Sequence, residues 1–271
     1  MTIFEWSSLL PCEKFNLNTS APELINLSIP SFELTLGPTV AIIFVFLVIE
    51  IYNLIAWYYG NKYMDKNFII GIPVRDFENP MTRLSNTLNK EERIELSKSM
   101  FLNIVNSFDD ENVDIYCITN NSSVVDYCTK NKIETFKAKN SGLNNEINEF
   151  INLTKDYSAW TIVHADLPYV NRHYAKVWIE ECLLNEIIIS ESKDSGTPII
   201  GGNKFINEFQ YGEKSFIKHI ELFNKKNINY KKIFNKELSF EVDDINDYKD
   251  LIKNQPRWFR KNSLLSSPDR I

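Results

Sequence analysis

Several features that would mark a functional class are missing from this sequence. Its four cysteines, Cys12, Cys117, Cys128 and Cys182, lie far apart and form no Cys-x-x-Cys pair. A zinc ribbon or a disulfide framework is thereby excluded, and a reducing compartment is the simpler assumption for the body. There is no basic excess: 30 Lys and Arg stand against 36 Asp and Glu, a net charge of −6. That balance argues against a nucleic-acid partner, which calls for a basic face. Glycine is scarce, internal repeats are absent, and no Ser-His-Asp or Cys-His combination offers a side-chain nucleophile. The N-terminus also lacks a basic cluster, its first charge being Glu5, so a secretory signal fits badly.

What is present suits a folded protein. With 44% hydrophobic and 24% charged residues, the 271-residue chain can bury one large core or two small ones. Residues 1–66 form a leader distinct from the rest, with Pro11, Pro22 and Pro30 set among Ser, Asn and Thr. Within it, residues 36–60 are apolar except for Glu50 and a few polar groups, long enough to cross a ~30 Å hydrocarbon core as a membrane helix. Trp57, Tyr58 and Tyr59 would then lie at the interface, and Lys62 and Lys66 beyond it would leave the body cytoplasmic. Against a span stand Glu50 and Asn53, one turn apart near its middle. An amphipathic helix facing a partner is the alternative.

From residue 67 to 254 short apolar runs alternate with amphipathic stretches. Strands are expected at 68–72, 113–119, 133–138, 159–163, 186–190, 198–201, 230–234 and 238–242. Helices are expected at 89–108, after a capping-box-like Asn89-Lys90-Glu91-Glu92, and at 122–130, 142–151, 174–184, 215–225 and 245–253. This order predicts an α/β domain, a single mixed and mostly parallel sheet flanked by helices. Residues 255–271 read as a C-terminal tail, aromatic and basic, that is solvated rather than packed.

In such sheets ligands gather at the carboxyl ends of the strands, so the residues just after each run carry the functional question. After the first strand, Arg75 and Arg83 flank a loop suited to polyphosphate, because guanidinium binds phosphate bidentately. After the fourth, Asp166 is either a Mg²⁺ ligand or a cap of the next helix, and His164 either joins its face or belongs to the core. Glu241 and Asp243 close the last apolar run on one face. If the two ends are neighbours, Asp166 and Asp243 could clamp Mg²⁺ over a triphosphate. Ser195-Gly196-Thr197 and Gly212-Glu213-Lys214-Ser215 offer backbone amides and hydroxyls to an anion, or are two ordinary turns.

In this order, these pieces resemble the 2-phospho-L-lactate guanylyltransferase family of coenzyme F420 biosynthesis over residues 68–253. The family's Pro-Val-Lys and Lys-Ser/Thr-Arg-Leu correspond to Pro73-Val74-Arg75 and Met81-Thr82-Arg83-Leu84. Its Gly/Pro-Leu-Asn turn corresponds to Gly142-Leu143-Asn144, and its Asp-Leu-Pro to Asp166-Leu167-Pro168. Its Gly-Thr loop is Gly196-Thr197, and its Phe-Gly-x-x-Ser-x-x-x-His is the stretch from Tyr211-Gly212 through Ser215 to His219. Its Asp-Val-Asp is Glu241-Val242-Asp243, so Met81 and Glu241 are departures.

The resemblance implies a GT-A-like nucleotidyltransferase fold and transfer of GMP from GTP to a three-carbon phospho-acid, with pyrophosphate released. The acid would be 2-phospho-L-lactate, phosphoenolpyruvate or 3-phosphoglycerate. It implies Mg²⁺ on Asp166 and Asp243, and GTP on Arg75, Arg83, Gly142 and Asn144, with Arg83 also catalytic. The acid would bind Thr197, Gly212 and Ser215. A homo-oligomer is compatible with the sequence. The alternatives are a nucleotidyltransferase of the same fold acting on a sugar phosphate or cofactor, a catalytically silent membrane-tethered binding module, and a membrane glycosyltransferase. The last usually shows an Asp-x-Asp in a central strand, which this chain lacks.

Overall fold

A computed structural model describes residues 68–260. The leader and its apolar stretch at 36–60 lie outside the described residues, as does the end of the tail. Among the described residues, no helix is long and apolar enough to cross a membrane.

Strand β1, Phe68–Pro73, is buried along almost its whole length. The pleat sends Phe68, Ile70 and Ile72 to one face of the sheet and Ile69 to the other. Helix α1, Lys90–Phe108, starts at the expected capping box: Glu92 N–H donates to Asn89 Oδ1 and Asn89 N–H to Glu92 Oε2, both at 2.9 Å. There follow β2 (Val113–Ile118), α2 (Ser122–Lys130), β3 (Glu134–Phe136) and α3 (Leu143–Phe150). Then come β4 (Ala159–Val163), α4 (Arg172–Leu184), β5 (Ile187–Ser190) and β6 (Ile199–Gly202). Helix α5 (Ser215–Lys225), β7 (Tyr230–Ile233), α6 (Ile245–Lys253) and the short α7 (Arg257–Arg260) are the last elements among the described residues.

The seven strands form one mixed sheet in the order β3-β2-β1-β4-β6-β5-β7. The pairs β1–β2, β2–β3, β1–β4 and β5–β7 are parallel, and β6 alone runs against its neighbours β4 and β5. Helices α1, α2 and α4 pack on one face through Phe101, Cys128 and Trp178. Helices α3 and α5 cover the other through Phe150, Phe216 and Phe223. A third apolar cluster, Leu84, Leu88, Leu96, Met100, Val242, Tyr248, Leu251 and Phe259, joins α1, α6 and α7 to the loops beyond the sheet edge.

Two expectations need correction. Residues 238–242 are not a strand: a 3₁₀ turn, Lys236–Leu238, is followed by irregular chain. That segment still aligns with the sheet edge, because Val242 N–H donates to Asp166 O at 3.2 Å and the Val242 side chain is buried. The tail, read as solvated, instead begins by packing back. Phe259 is fully buried, and Trp258 Nε1–H donates to Pro168 O at 2.8 Å. An apolar ring beside a free carbonyl is reason enough for the return. Trp258→Phe keeps an aromatic ring but removes that bond and part of the indole's packing, so it should lower the urea unfolding midpoint by the equivalent of at least about 1 kcal/mol.

Candidate active site

Because β1 and β4 are parallel and paired as Gly71 with Ile162, the loops that follow them leave the same edge side by side. A cavity of about 710 Å³ opens between them. Arg75, Arg83, Asp166, Thr197, Gly212, Ser215 and Asp243 all line it, joined by His164, Tyr211 and Glu241. Seven of the nine residues singled out from the sequence therefore face one space.

The loop carrying the two arginines is held by a third. Arg93, buried on α1, donates from Nε to Pro80 O at 3.1 Å, from Nη1 to Leu88 O at 3.1 Å and from Nη2 to Asn79 Oδ1 at 2.8 Å. Sequence reasoning missed it. Its only signal is a charge amid the apolar residues of α1. Arg75 and Arg83 remain exposed, with Arg83 drawing the Asp243 carboxyl down.

Asp166 is not the cap of the next helix. That place belongs to Asn171, whose side chain accepts from His173 N–H and Tyr174 N–H. Asp166 Oδ1 is buried without a hydrogen-bond partner among the described residues, and so is His164 Nε2. His164 Nδ1 lies 2.7 Å from Glu241 Oε1. Among the described residues, His164, Asp166 and Glu241 form a group whose ligand atoms lie within 4.8 Å of one another and could hold a metal ion. Asp243 lines the same cavity but is not part of that trio.

The charges here are crowded. Burial, then Glu241, push the Asp166 carboxyl up to about 7 against the pull of His164. Burial, then Glu241 and Asp194, raise Asp243 above the usual carboxylate range, against Arg83. Burial alone would lower His164, but the bond to Glu241 and the surrounding carboxylates outweigh it and hold it at about 9. Acids that resist ionisation beside the unpartnered Asp166 Oδ1 fit a divalent cation, which would relieve both conditions.

Across the cavity the two hydroxyls belong to a buried relay. Gln210 N–H donates to His219 Nε2 at 2.9 Å, which puts the ring proton on Nδ1. That nitrogen then donates to Thr197 Oγ1 at 3.0 Å. Ser215 Oγ donates to the same oxygen at 3.1 Å. Thr197 thus accepts twice, and its own proton is left for something in the cavity. Gly212, at φ +129° with no neighbour within 4 Å of where a Cβ would stand, lets the chain turn with its backbone open to the same space.

His219 is buried, and burial, with the charge of His164, lowers its pKa from the ordinary 6.5 to about 4. The folded state thus takes up its proton later than the unfolded chain. Stability should fall as pH drops from about 6.5 to about 4, by at most about 1.4 kcal/mol per pH unit. His164 has the opposite sign: its stabilisation is full below 6.5 and is lost as pH rises toward 9. The two windows do not overlap. Urea midpoints measured from pH 7 to 4 should fall less steeply for His219→Asn than for the unaltered chain.

Gly142 and Asn144 do not line the cavity; Leu143 and Glu146 do. Gly142 begins α3 at φ +103° and donates its N–H to Glu146 Oε1 at 3.1 Å. Asn144 clamps a distant backbone: its Nδ2 donates to Tyr211 O at 3.0 Å, and its Oδ1 accepts from Tyr211 N–H at 2.7 Å. Its amide is therefore engaged in holding Tyr211, and the nucleotide contact expected of it has no support in this geometry.

Known proteins resemble this chain in sequence and in fold. Residues 68–255 match the family model described as guanylyl transferase CofC like. A 2-phospho-L-lactate guanylyltransferase of Methanocaldococcus jannaschii is 28% identical over 72% of this chain and 87% of its own. Another, from Methanosphaera stadtmanae, is 32% identical over 58% of this chain and 71% of its own. Among solved structures, a nucleotide-diphospho-sugar transferase of Desulfovibrio desulfuricans G20 aligns with a TM-score of 0.61 at 14% identity, over 73% of this chain and 92% of that one. A nucleotidyl transferase from Methanothermobacter aligns at 0.50 and 10% identity, over 73% and 100%. These two likenesses concern the fold alone.

Proposed function

The chain belongs to the CofC-like guanylyl transferase family, and from that premise we propose that it moves GMP from GTP onto the phosphate of a three-carbon phospho-acid, releasing pyrophosphate. The observation that carries this reading is one cavity with cationic, acidic and hydroxyl walls: Arg75 and Arg83, then Asp166, Glu241 and Asp243, then Thr197 and Ser215. Each wall suits one part of the reaction.

Arg75 and Arg83 neutralise the β- and γ-phosphates, which leave as pyrophosphate. Asp166, Glu241 and Asp243 hold Mg²⁺, with His164 fixing the Glu241 carboxylate. When bound, the cation withdraws charge from the α-phosphate and from the departing oxygen. The Thr197 proton, left over by the relay, and the backbone at Gly212 hold the acid, with Ser215 fixing the Thr197 hydroxyl through the proton it donates. No side-chain nucleophile is needed, since the attacking group is the acid's own phosphate and alignment supplies most of the rate. The acid is 2-phospho-L-lactate, phosphoenolpyruvate or 3-phosphoglycerate, the step belongs to coenzyme F420 biosynthesis, and the need for GTP assigns the body to the cytoplasm.

Pyrophosphate release measured with GTP, ATP, CTP and UTP, each with every acid in turn, tests the reading. Release that requires both GTP and an acid supports it. Release with another nucleotide, or release that is indifferent to the acid, counts against it.

A further inference from the structure

Tyr211 has a polar group with no task in the fold. The residue is 7% exposed, and it lines the cavity together with Asp166, Thr197, Ser215 and Glu241. Its ring stacks on Phe209 at 6.0 Å, meets His219 edge-on at 5.2 Å and lies 5.4 Å from His164. Both polar groups of its backbone are clamped by Asn144. The side chain is thus held firmly, yet its Oη is buried and has no hydrogen-bond partner among the described residues. Glu241, the acid whose charge acts on it, is engaged with His164 at 2.7 Å.

A buried hydroxyl left unpaired is costly, and here rigid packing keeps it so. The phenol is also a donor at any physiological pH, since burial, then the Glu241 charge, hold it above its usual value. A preorganised, neutral O–H donor in a cavity beside a hydroxyl relay suits an anionic oxygen, which forms the stronger charge-assisted bond.

We propose that Tyr211 Oη–H donates a hydrogen bond to an anionic oxygen of the phospho-acid and so sets the affinity of the site for that substrate. This rests on the guanylyltransferase reading above. Asn144, expected to touch nucleotide, then serves the acid at one remove by holding Tyr211 in place.

Tyr211→Phe removes one oxygen and leaves the ring packing intact. KM and kcat should be measured for acid and for GTP, alongside the urea unfolding midpoint. The KM for the acid should rise about 10- to 100-fold, in line with loss of a bond to a charged group, while the KM for GTP stays within about twofold. The unfolding midpoint should hold or rise, because an unpaired buried hydroxyl has been removed. An unchanged KM for the acid, with or without lost stability, would overturn the assignment and leave Tyr211 a packing residue. The unaltered enzyme separates the two possible failures. If it transfers GMP to no acid, the functional reading fails and the Tyr211 assignment with it. If it transfers GMP and Tyr211→Phe matches it, only the Tyr211 assignment fails.

Discussion

Asp166→Asn should release pyrophosphate at about a thousandth of the normal rate and unfold at an unchanged urea midpoint. The two halves of that expectation have separate causes. Asparagine keeps the volume and one oxygen but loses the charge that would hold a cation against the α-phosphate. About 4 kcal/mol of lost transition-state stabilisation corresponds to a thousandfold. Stability should not suffer, because Asp166 caps no helix: Asn171 does that, and the Asp166 backbone carbonyl that receives Val242 N–H survives the change. The carboxylate removed is one that burial and Glu241 already disfavour. Asp243→Asn acts on the same charge cluster, so the double variant should lose far less than the product of the two single losses. Near-normal turnover of Asp166→Asn at saturating Mg²⁺ would show that the acidic wall is not where the chemistry happens.

Thr197→Val should be the most damaging change on the opposite wall. Valine matches threonine in shape but offers no acceptor, so His219 Nδ1–H and Ser215 O–H both lose their partner at buried sites. Each unpaired donor costs about 1–3 kcal/mol. The unfolding free energy should therefore drop by about 2–4 kcal/mol, and the KM for the acid should rise by one to two orders of magnitude. Ser215→Ala removes the donor that fixes the Thr197 hydroxyl and strands no other donor, so it should raise that KM by a smaller factor and cost less stability. In both variants the KM for GTP should stay within about twofold. A rise confined to GTP would reverse the assignment of the two walls.

Much of this was legible in the chain. The strands at 68–73, 113–118 and 159–163 announce themselves as apolar runs, and α1 by its capping box, because both signals are local. The cluster at the sheet edge followed from asking which polar residues come just after each run. What escaped depends on distant partners. The place of β6 beside β4 joins segments some forty residues apart, and β6 runs against both β4 and β5. Residues 238–242 look like a strand because apolar and polar side chains alternate, yet the N–H groups of Leu238, Ser239 and Phe240 bond back to Asn235 and Lys236, and only that of Val242 reaches Asp166. Asn144 sits in a motif that suggested nucleotide, but its two bonds go to Tyr211, 67 positions away. Glu241, first seen as a one-carbon departure, is better understood with His164, whose Nδ1 lies 2.7 Å from its Oε1. No spacing rule pairs residues 77 positions apart.

The central claim is that the phosphate of the acid attacks GTP in this cavity, and one isotope measurement addresses it directly. The full-length enzyme would be incubated with GTP, Mg²⁺ and each candidate acid carrying ¹⁸O in its phosphate, and the products weighed by mass spectrometry. Direct attack predicts GMP joined to the acid with all of the label retained, and one unlabelled pyrophosphate per product. Unlabelled GMP and pyrophosphate, with the labelled acid recovered unchanged, would mean that water is the nucleophile and would contradict the account.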